Sequence, residues 1–264
     1  MAVDQTPDLR LQRDGVLAHL IIDNPARLNA LTAKMWAAVP RLIADADADP
    51  AVRVIVVRGA GGKAFSAGAD ISEFDSARTG KAVETYDTLN HAAFDALLGA
   101  AKPTIAMIDG FCLGGGLGIA ACCDLRLASD TATFAIPAAK LGLGYHPRWV
   151  RTLLTLAPPP AVKELLFTGR RYTAAEAFSI GLVNRVCSAL ELETETRALA
   201  ATIAANAPLT IHAAKAAVDD LTQRPETADI ARLEALVKTC FDSADYAEGR
   251  RAFGEKRQPH FKGK

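Results

Sequence analysis

The sequence predicts an α/β core followed by an all-helical tail. Three observations carry that expectation. Short β-branched, apolar runs recur along most of the chain and cease near residue 190. Longer segments of helical spacing lie between them, and only helical patterns remain after Leu190. In order, Val16 to Asp23 and Val52 to Gly59 read as buried strands, and Thr104 to Asp109, Leu125 to Ser129, Thr133 to Ile136 and Leu182 to Val186 continue the series. Thr32 to Ala48, Lys81 to Ala101, Leu117 to Cys123 and Val162 to Phe167 read as helices between them. Thr173 before Ala174-Ala175-Glu176 has the form of a capping box, and Gly181 is a helix stop. Pro158-Pro159-Pro160 reads as a turn inside the core. The tail comprises Leu190 to Asn206, Thr210 to Leu221, Ile230 to Phe241 and Asp245 to Phe253. Residues 1–195 are therefore expected to form the α/β core and residues 196–264 a helical region.

Half of the 264 residues are apolar, enough to bury a large core in one broad domain or one domain with an appendage. The formal net charge of zero speaks against a nucleic-acid or membrane-surface footprint. Met1 to Asp14 is polar and carries no signal-like apolar segment, so a cytoplasmic location is expected. Pro103 to Cys123 is long and apolar, but Asp109 interrupts it and Asp124 closes it, which suits a packed junction better than a membrane span. Cys112, Cys122, Cys123, Cys187 and Cys240 lack metal-ligand spacing and read as reduced core residues. His19, His91, His146, His212 and His260 are too scattered to suggest a metal site. Counted from Gly114, Ile119 occupies the last position of a dinucleotide fingerprint, and no Gly-x-Ser-x-Gly elbow exists. No metal and no cofactor of its own are expected.

The chemistry lies in two glycine motifs. Phe111-Cys112-Leu113-Gly114-Gly115-Gly116-Leu117-Gly118 joins a strand to a helix. Glycines there allow close approach to the backbone, and the first N–H groups of the helix have no partner within it. The helix dipole favours negative charge at that point. Gly61-Gly62-Lys63-Ala64-Phe65-Ser66-Ala67-Gly68-Ala69-Asp70-Ile71 follows the second strand and also presents backbone donors. Two such donors from separate strand ends are what an enolate-stabilising site needs.

At this point the chain resembles the enoyl-CoA hydratase/isomerase, or crotonase, family. The resemblance rests on Asn24-Pro25 with Leu28-Asn29-Ala30-Leu31, Phe65 to Ile71, Lys102-Pro103-Thr104, Gly110 to Gly116, Cys123-Asp124 and Gly181-Leu182-Val183-Asn184. It implies a spiral of ββα turns with a C-terminal helical region that trimerises, as a homotrimer or a dimer of trimers. It implies an acyl-CoA or enoyl-CoA thioester as ligand, with coenzyme A entering only as part of the substrate. The oxyanion donors fall by position on the backbone N–H groups of Ala69 and Gly115. Lys63 would face the CoA phosphates, with Ala67, Asp70 and Ile71 beside the CoA, while Phe253 and Lys256 match positions that reach a neighbouring subunit's CoA. Ser72 stands where the family often has lysine.

One part of the pattern is broken. The two positions where hydratases of the family carry glutamates are Gly118 and Ala138 here, and neither residue can move a proton. His146 falls where dienoyl-CoA isomerases and chlorobenzoyl-CoA dehalogenases carry an aspartate. Histidine suits proton transfer near neutral pH, though it could equally cap the helix that begins near Pro147. Tyr145 aligns near a tyrosine of a decarboxylating relative, and His91 near the dehalogenase histidine. Trp149, Phe74 and Tyr86 read either as walls of an acyl or aryl pocket or as core. Glu73 and Asp75 read as a solvated loop, Asp109 as bonding backbone N–H groups and Asp124 as structural. The expectation is an acyl-CoA enzyme whose acid–base group is non-standard, His146 first. The alternative is a catalytically silent acyl-CoA-binding protein.

Overall fold

The apolar runs assemble into two sheets, in a computed structural model that describes residues 7–73, 82–223 and 225–264. The larger sheet begins with an antiparallel hairpin, β1 (Asp8–Asp14) on β2 (Leu17–Asp23), paired from Asp8↔Asp23 to Asp14↔Leu17. Parallel strands β3 (Val54–Gly59), β5 (Thr104–Ile108), β7 (Leu125–Ser129) and β10 (Arg185–Cys187) complete it in the order β1-β2-β3-β5-β7-β10. β4 (Ala64–Ser66), β6 (Phe111–Leu113), β8 (Thr133–Ala135) and β9 (Tyr172–Thr173) form the smaller sheet in that order. Each of β4, β6 and β8 follows a strand of the larger sheet after a sharp turn, so the chain alternates between sheets as it advances. That alternation is the expected spiral.

Helices pack against the sheets, and the first helix of the tail still packs on the larger sheet, with Leu192 and Ala200 against Leu17, Val54, Ile105 and Leu127. The helices before the tail are α1 (Ala33–Ala48), α2 (Ala82–Leu98), α3 (Gly115–Cys122), α4 (Pro147–Leu154), α5 (Pro159–Thr168) and α6 (Ala174–Ser179). The tail adds α7 (Leu192–Ala204), α8 (Pro208–Gln223), α9 (Ile230–Phe241) and α10 (Ala244–Glu255). Trp36 and Val39 of α1, Leu97 of α2 and Leu117 of α3 are fully buried against Ile55, Val57 and Ala106 of the larger sheet. Among the described residues no helix is long and apolar enough to cross a membrane.

Several expectations are corrected. β1 was not read as a strand, because only Leu9 of its residues is buried and its charges face solvent at a sheet edge. The proline run is no mere turn: Pro158 is the N-cap and Pro159 and Pro160 open α5, where their missing N–H groups cost nothing. The strand expected at Leu182 to Val186 is β10, Arg185–Cys187, and Leu182 and Val183 are buried in the preceding loop. Asp109 makes no hydrogen bond among the described residues, contrary to its expected backbone contacts. Phe74, Asp75 and the expected helix start at Lys81 lie outside the described residues. The Thr173–Glu176 capping box is present in full. Asp124 is structural: its Oδ2 accepts from the Thr104 N–H at 2.7 Å and from Lys215 Nζ at 2.9 Å.

Arg126 anchors the far end of α3. It is 3% exposed and donates to the carbonyls of Leu182 at 2.9 Å and Ala120 at 3.3 Å, and also to that of Cys123. A cation at a helix C-terminus satisfies carbonyls that lack helical partners and complements the dipole. Arg126→Ala removes the side-chain donor from the Leu182 and Cys123 carbonyls, so a loss on the order of 3 kcal/mol of stability is expected. Urea titration of the variant against the parent measures it, and an unchanged midpoint would show the bonds to be dispensable.

Candidate active site

The Asn24–Leu31 motif is a clamp on the loop that carries Ala69. Asn24 Nδ2 donates to the Ala30 carbonyl at 2.9 Å, while Asn29 Nδ2 donates to the carbonyls of Ala60 at 2.9 Å and Ala64 at 2.7 Å. The Leu31 N–H donates to the Gly68 carbonyl and the Asp70 N–H to the Leu31 carbonyl, at 2.7 and 3.0 Å. This pairing is a parallel bridge between Leu31 and Ala69, in which the flanking groups of Gly68 and Asp70 are consumed. The Ala69 N–H is therefore turned away from Leu31 and donates to no backbone group among the described residues.

Gly115 arrives from the other sheet end. Gly114 caps α3 with φ 52 and ψ −119, a conformation open to glycine, and its own N–H is held by the Ala135 carbonyl at 2.8 Å. Gly115 is then the first residue of α3, and its N–H has no helical acceptor. Gly68, at φ 95, lets the two segments meet: a Cβ there would stand 3.0 Å from the Gly115 nitrogen. A Cβ on Gly115 would stand 3.7 Å from the Ala69 nitrogen. Two unpaired donors thus lie side by side.

Both donors line one cavity of ≈ 200 Å³. Its walls include Ala67, Ala138, Tyr145, His146 and, from α2, Asp87, Asn90, His91 and Phe94. Trp36 of α1 and Trp149 of α4 complete it. The His91 and His146 rings meet edge to face with centroids 4.6 Å apart, and His91 lies 5.3 Å from Trp149. Burial, then the neighbouring His146, hold the His91 imidazole below the ordinary histidine value, with Arg148 adding to the effect and Asp87 and Asp95 opposing it. His146 is the N-cap of α4, and its Nδ1 accepts from the Arg148 N–H at 3.2 Å. It is therefore both a capping residue and a wall of the cavity. The acceptor role of Nδ1 places the ring proton on Nε2. Burial raises the Tyr145 phenol above its ordinary value, so it stays protonated.

The positions of the expected carboxylates are occupied differently. A Cβ on Gly118 would come 2.6 Å from Cζ of Phe94. Phe94 is itself wedged edge to face between Trp149 at 4.4 Å and Trp36 at 5.4 Å. No side chain at 118 fits beside that ring without displacing it. Ala138 brings only a methyl group. Asp87, exposed, is the one carboxylate among the described lining residues, and it enters from α2.

The other expected residues divide. Asp70 is buried and committed: its Oδ1 accepts from Arg27 Nη1 at 3.0 Å, the Ser72 N–H at 3.0 Å and the Ser72 hydroxyl at 2.7 Å. Burial disfavours its charge, but those bonds outweigh burial and hold the carboxyl below its ordinary value. Lys63 is exposed beside the Gly61-Gly62 turn and does not line the cavity. Ile71 opens a short 3₁₀ turn, Ile71–Glu73, and its side chain lies outside the described residues. Glu73 is not a freely solvated loop carboxylate, because its Oε2 accepts from the Ala33 N–H at 2.8 Å and so caps α1. Tyr86 is core, its hydroxyl accepting from Trp36 Nε1 at 2.9 Å. Phe253, 88% exposed, and Lys256, just past α10, lie on the tail and outside this cavity. Sequence reasoning missed Trp36, Asp87, Asn90 and Phe94. The three on α2 stand at −4, −1 and +3 from His91, and that helical spacing was the available signal.

Residues 12–264 match the sequence model described as Enoyl-CoA hydratase/isomerase. The chain is 35% identical over 257 residues to the crotonyl-CoA hydratase of Syntrophomonas wolfei, covering 95% of this chain and 96% of that one. It is 34% identical over 261 residues to the carnitinyl-CoA dehydratase of Escherichia coli O157:H7, covering 97% and 98%. Its fold is similar to the crystal structure of an enoyl-CoA hydratase/carnithine racemase from Magnetospirillum magneticum, with TM-score 0.91, 37% identity and coverage of 98% and 97%. The chain belongs to the enoyl-CoA hydratase/isomerase family.

Proposed function

We propose that this protein is an acyl-CoA enzyme that forms a thioester enolate, with the carbonyl oxygen held between the N–H groups of Ala69 and Gly115. The observation that carries the proposal is the placement of those two unpaired donors on one cavity with two imidazoles. Charge grows on the thioester oxygen as the enolate forms, so fixed donors help most in the transition state. The α-proton or the attacking water is handled by the imidazole wall, not by glutamates at 118 and 138. His91 is kept neutral and can accept a proton, while His146, with Nδ1 engaged by the Arg148 N–H, has Nε2 left for proton transfer. Tyr145 is a retained hydroxyl donor that can steady the acyl group. Lys63, Ala67 and the backbone from Asp70 to Ile71 hold the CoA, which brings the only group-carrying chemistry required.

The exposed tail fits the same reading. Phe253 at 88% and Phe241 at 60% exposure suit contact with a second copy, in which Phe253 and Lys256 would approach a neighbour's CoA in a homotrimer or dimer of trimers. A hydratase-type reaction is the reading the named relatives favour. It is tested by mixing the protein with crotonyl-CoA and following the conjugated thioester absorbance. Saturable binding is expected, and any hydration should fall at least about a hundredfold in His146→Asn. No binding of crotonyl-CoA, or hydration undiminished in that variant, would contradict the proposal.

A further inference from the structure

We propose that Phe94 is the specificity-determining residue of the site and restricts it to compact acyl groups. The inference rests on the thioester reading above and adds the substrate class.

Phe94 sits at the floor of the cavity, 5% exposed, with its ring tip directed at Gly118. The glycine at 118 and the ring are complementary: the space a side chain would fill on α3 is filled from α2. Trp36 and Trp149 pack edge to face on the ring, so the direction left open to it is into the cavity. Trp36 in turn reaches the donor corner, since a Cβ on Gly115 would come 3.0 Å from its Cζ2. A thioester carbonyl seated at Ala69 and Gly115 therefore directs its acyl group onto an aromatic floor a short distance away.

The volume agrees with that geometry. A buried apolar cavity of about 150 Å³ holds a benzene-sized molecule. The ≈ 200 Å³ here is of that order, so an acyl group held wholly within it is compact. Shape and volume thus converge on a short acyl group, and Phe94 is the residue whose removal extends the pocket inward.

The test is the affinity of the full-length protein for acetyl-, butyryl-, hexanoyl- and octanoyl-CoA, measured by calorimetry for the parent, Phe94→Ala and Gly118→Ala. A methylene that finds buried space strengthens binding roughly fourfold. The parent is expected to gain affinity to butyryl-CoA and then level off or lose it. Phe94→Ala should raise the affinity for octanoyl-CoA relative to acetyl-CoA at least about tenfold over the parent's ratio. Gly118→Ala should act in the opposite sense, driving the ring into the cavity and weakening butyryl-CoA relative to acetyl-CoA. If Phe94→Ala does not fold, Phe94→Leu and the parent's own chain-length profile decide the matter. A parent that keeps gaining affinity through octanoyl-CoA overturns the inference, as does an unchanged octanoyl-to-acetyl ratio in the folded variant. Either result leaves the thioester reading intact, whereas failure of the parent to bind any CoA thioester overturns both.

Discussion

Gly115→Pro is expected to lower kcat by roughly 10²–10³, the loss seen when one oxyanion donor is removed. Proline is tolerated at the first position of a helix, and Gly115 is the first residue of α3. The substitution therefore deletes the N–H without asking the helix to break, and its ring carbon enters the space the oxyanion would use. Gly115→Ala is the control. Both variants place a Cβ against the buried Trp36 ring, so both carry the cost of shifting it by a few tenths of an ångström. Only the proline loses the donor. The difference in kcat between the two variants reads the loss of the donor together with the ring carbon that takes its place, and equal activity would remove Gly115 from the oxyanion role. Free CoA should bind both variants alike, because Lys63, the proposed phosphate contact, lies outside the cavity.

His146→Asn is expected to lower turnover by about 10²–10⁴, the range for losing a general acid or base. Asparagine is among the preferred N-cap residues, so α4 keeps its cap while the imidazole is lost. His91→Gln should act similarly from the other side of the ring pair. Steady-state kinetics should show the loss in kcat with little change in KM, since neither ring is needed to hold the CoA. The pH dependence has a definite sign. His91 acts as a base only when neutral, and its folded pKa is depressed, so kcat/KM should be on its plateau at pH 7 and fall in acid. The inflexion should lie below the ordinary value of about 6.5. In His146→Asn one neighbour that opposes protonation is gone, so the limb should move up toward that value. Full turnover in both single variants would dismiss the imidazole wall.

The sequence made the long elements and the two donor motifs legible because each has a strong local cause. Parallel strands buried on both faces read as apolar runs, and glycines at strand ends mark close approach. The clamp built from Asn24, Asn29 and Leu31 was visible as a motif, although its partners at Ala60, Ala64 and Gly68 were not. The smaller sheet was harder to see, because two- and three-residue strands such as β4, β6 and β9 carry no periodicity. β1 was hidden by its charges, and α5 by prolines that stop a helix everywhere except its first turn.

The site shows the same division. Gly115 owes its unpaired N–H to its place at the start of α3, which the motif marks, whereas the Ala69 N–H is turned by the bridge to Leu31, a partner the motif alone does not name. The walls are set by tertiary packing. Trp36, Phe94 and Trp149 meet although they stand on three helices far apart in the chain. The absence of a side chain at 118 is visible in the sequence, but its partner, the Phe94 ring, is visible only in the fold. His146 illustrates a choice the sequence left open between helix cap and cavity wall, and the structure shows both roles at once.

The central claim is that the site makes an enolate with imidazole in place of carboxylate. Deuterium incorporation at Cα of butyryl-CoA in D₂O, followed by mass spectrometry, tests it most directly, because exchange requires the enolate and needs no guess about the later step. The account predicts exchange by the parent protein, abolished in the His91→Gln, His146→Asn double variant and strongly reduced in Gly115→Pro. Tight binding of butyryl-CoA with no exchange would contradict it and identify a protein that holds thioesters without transforming them.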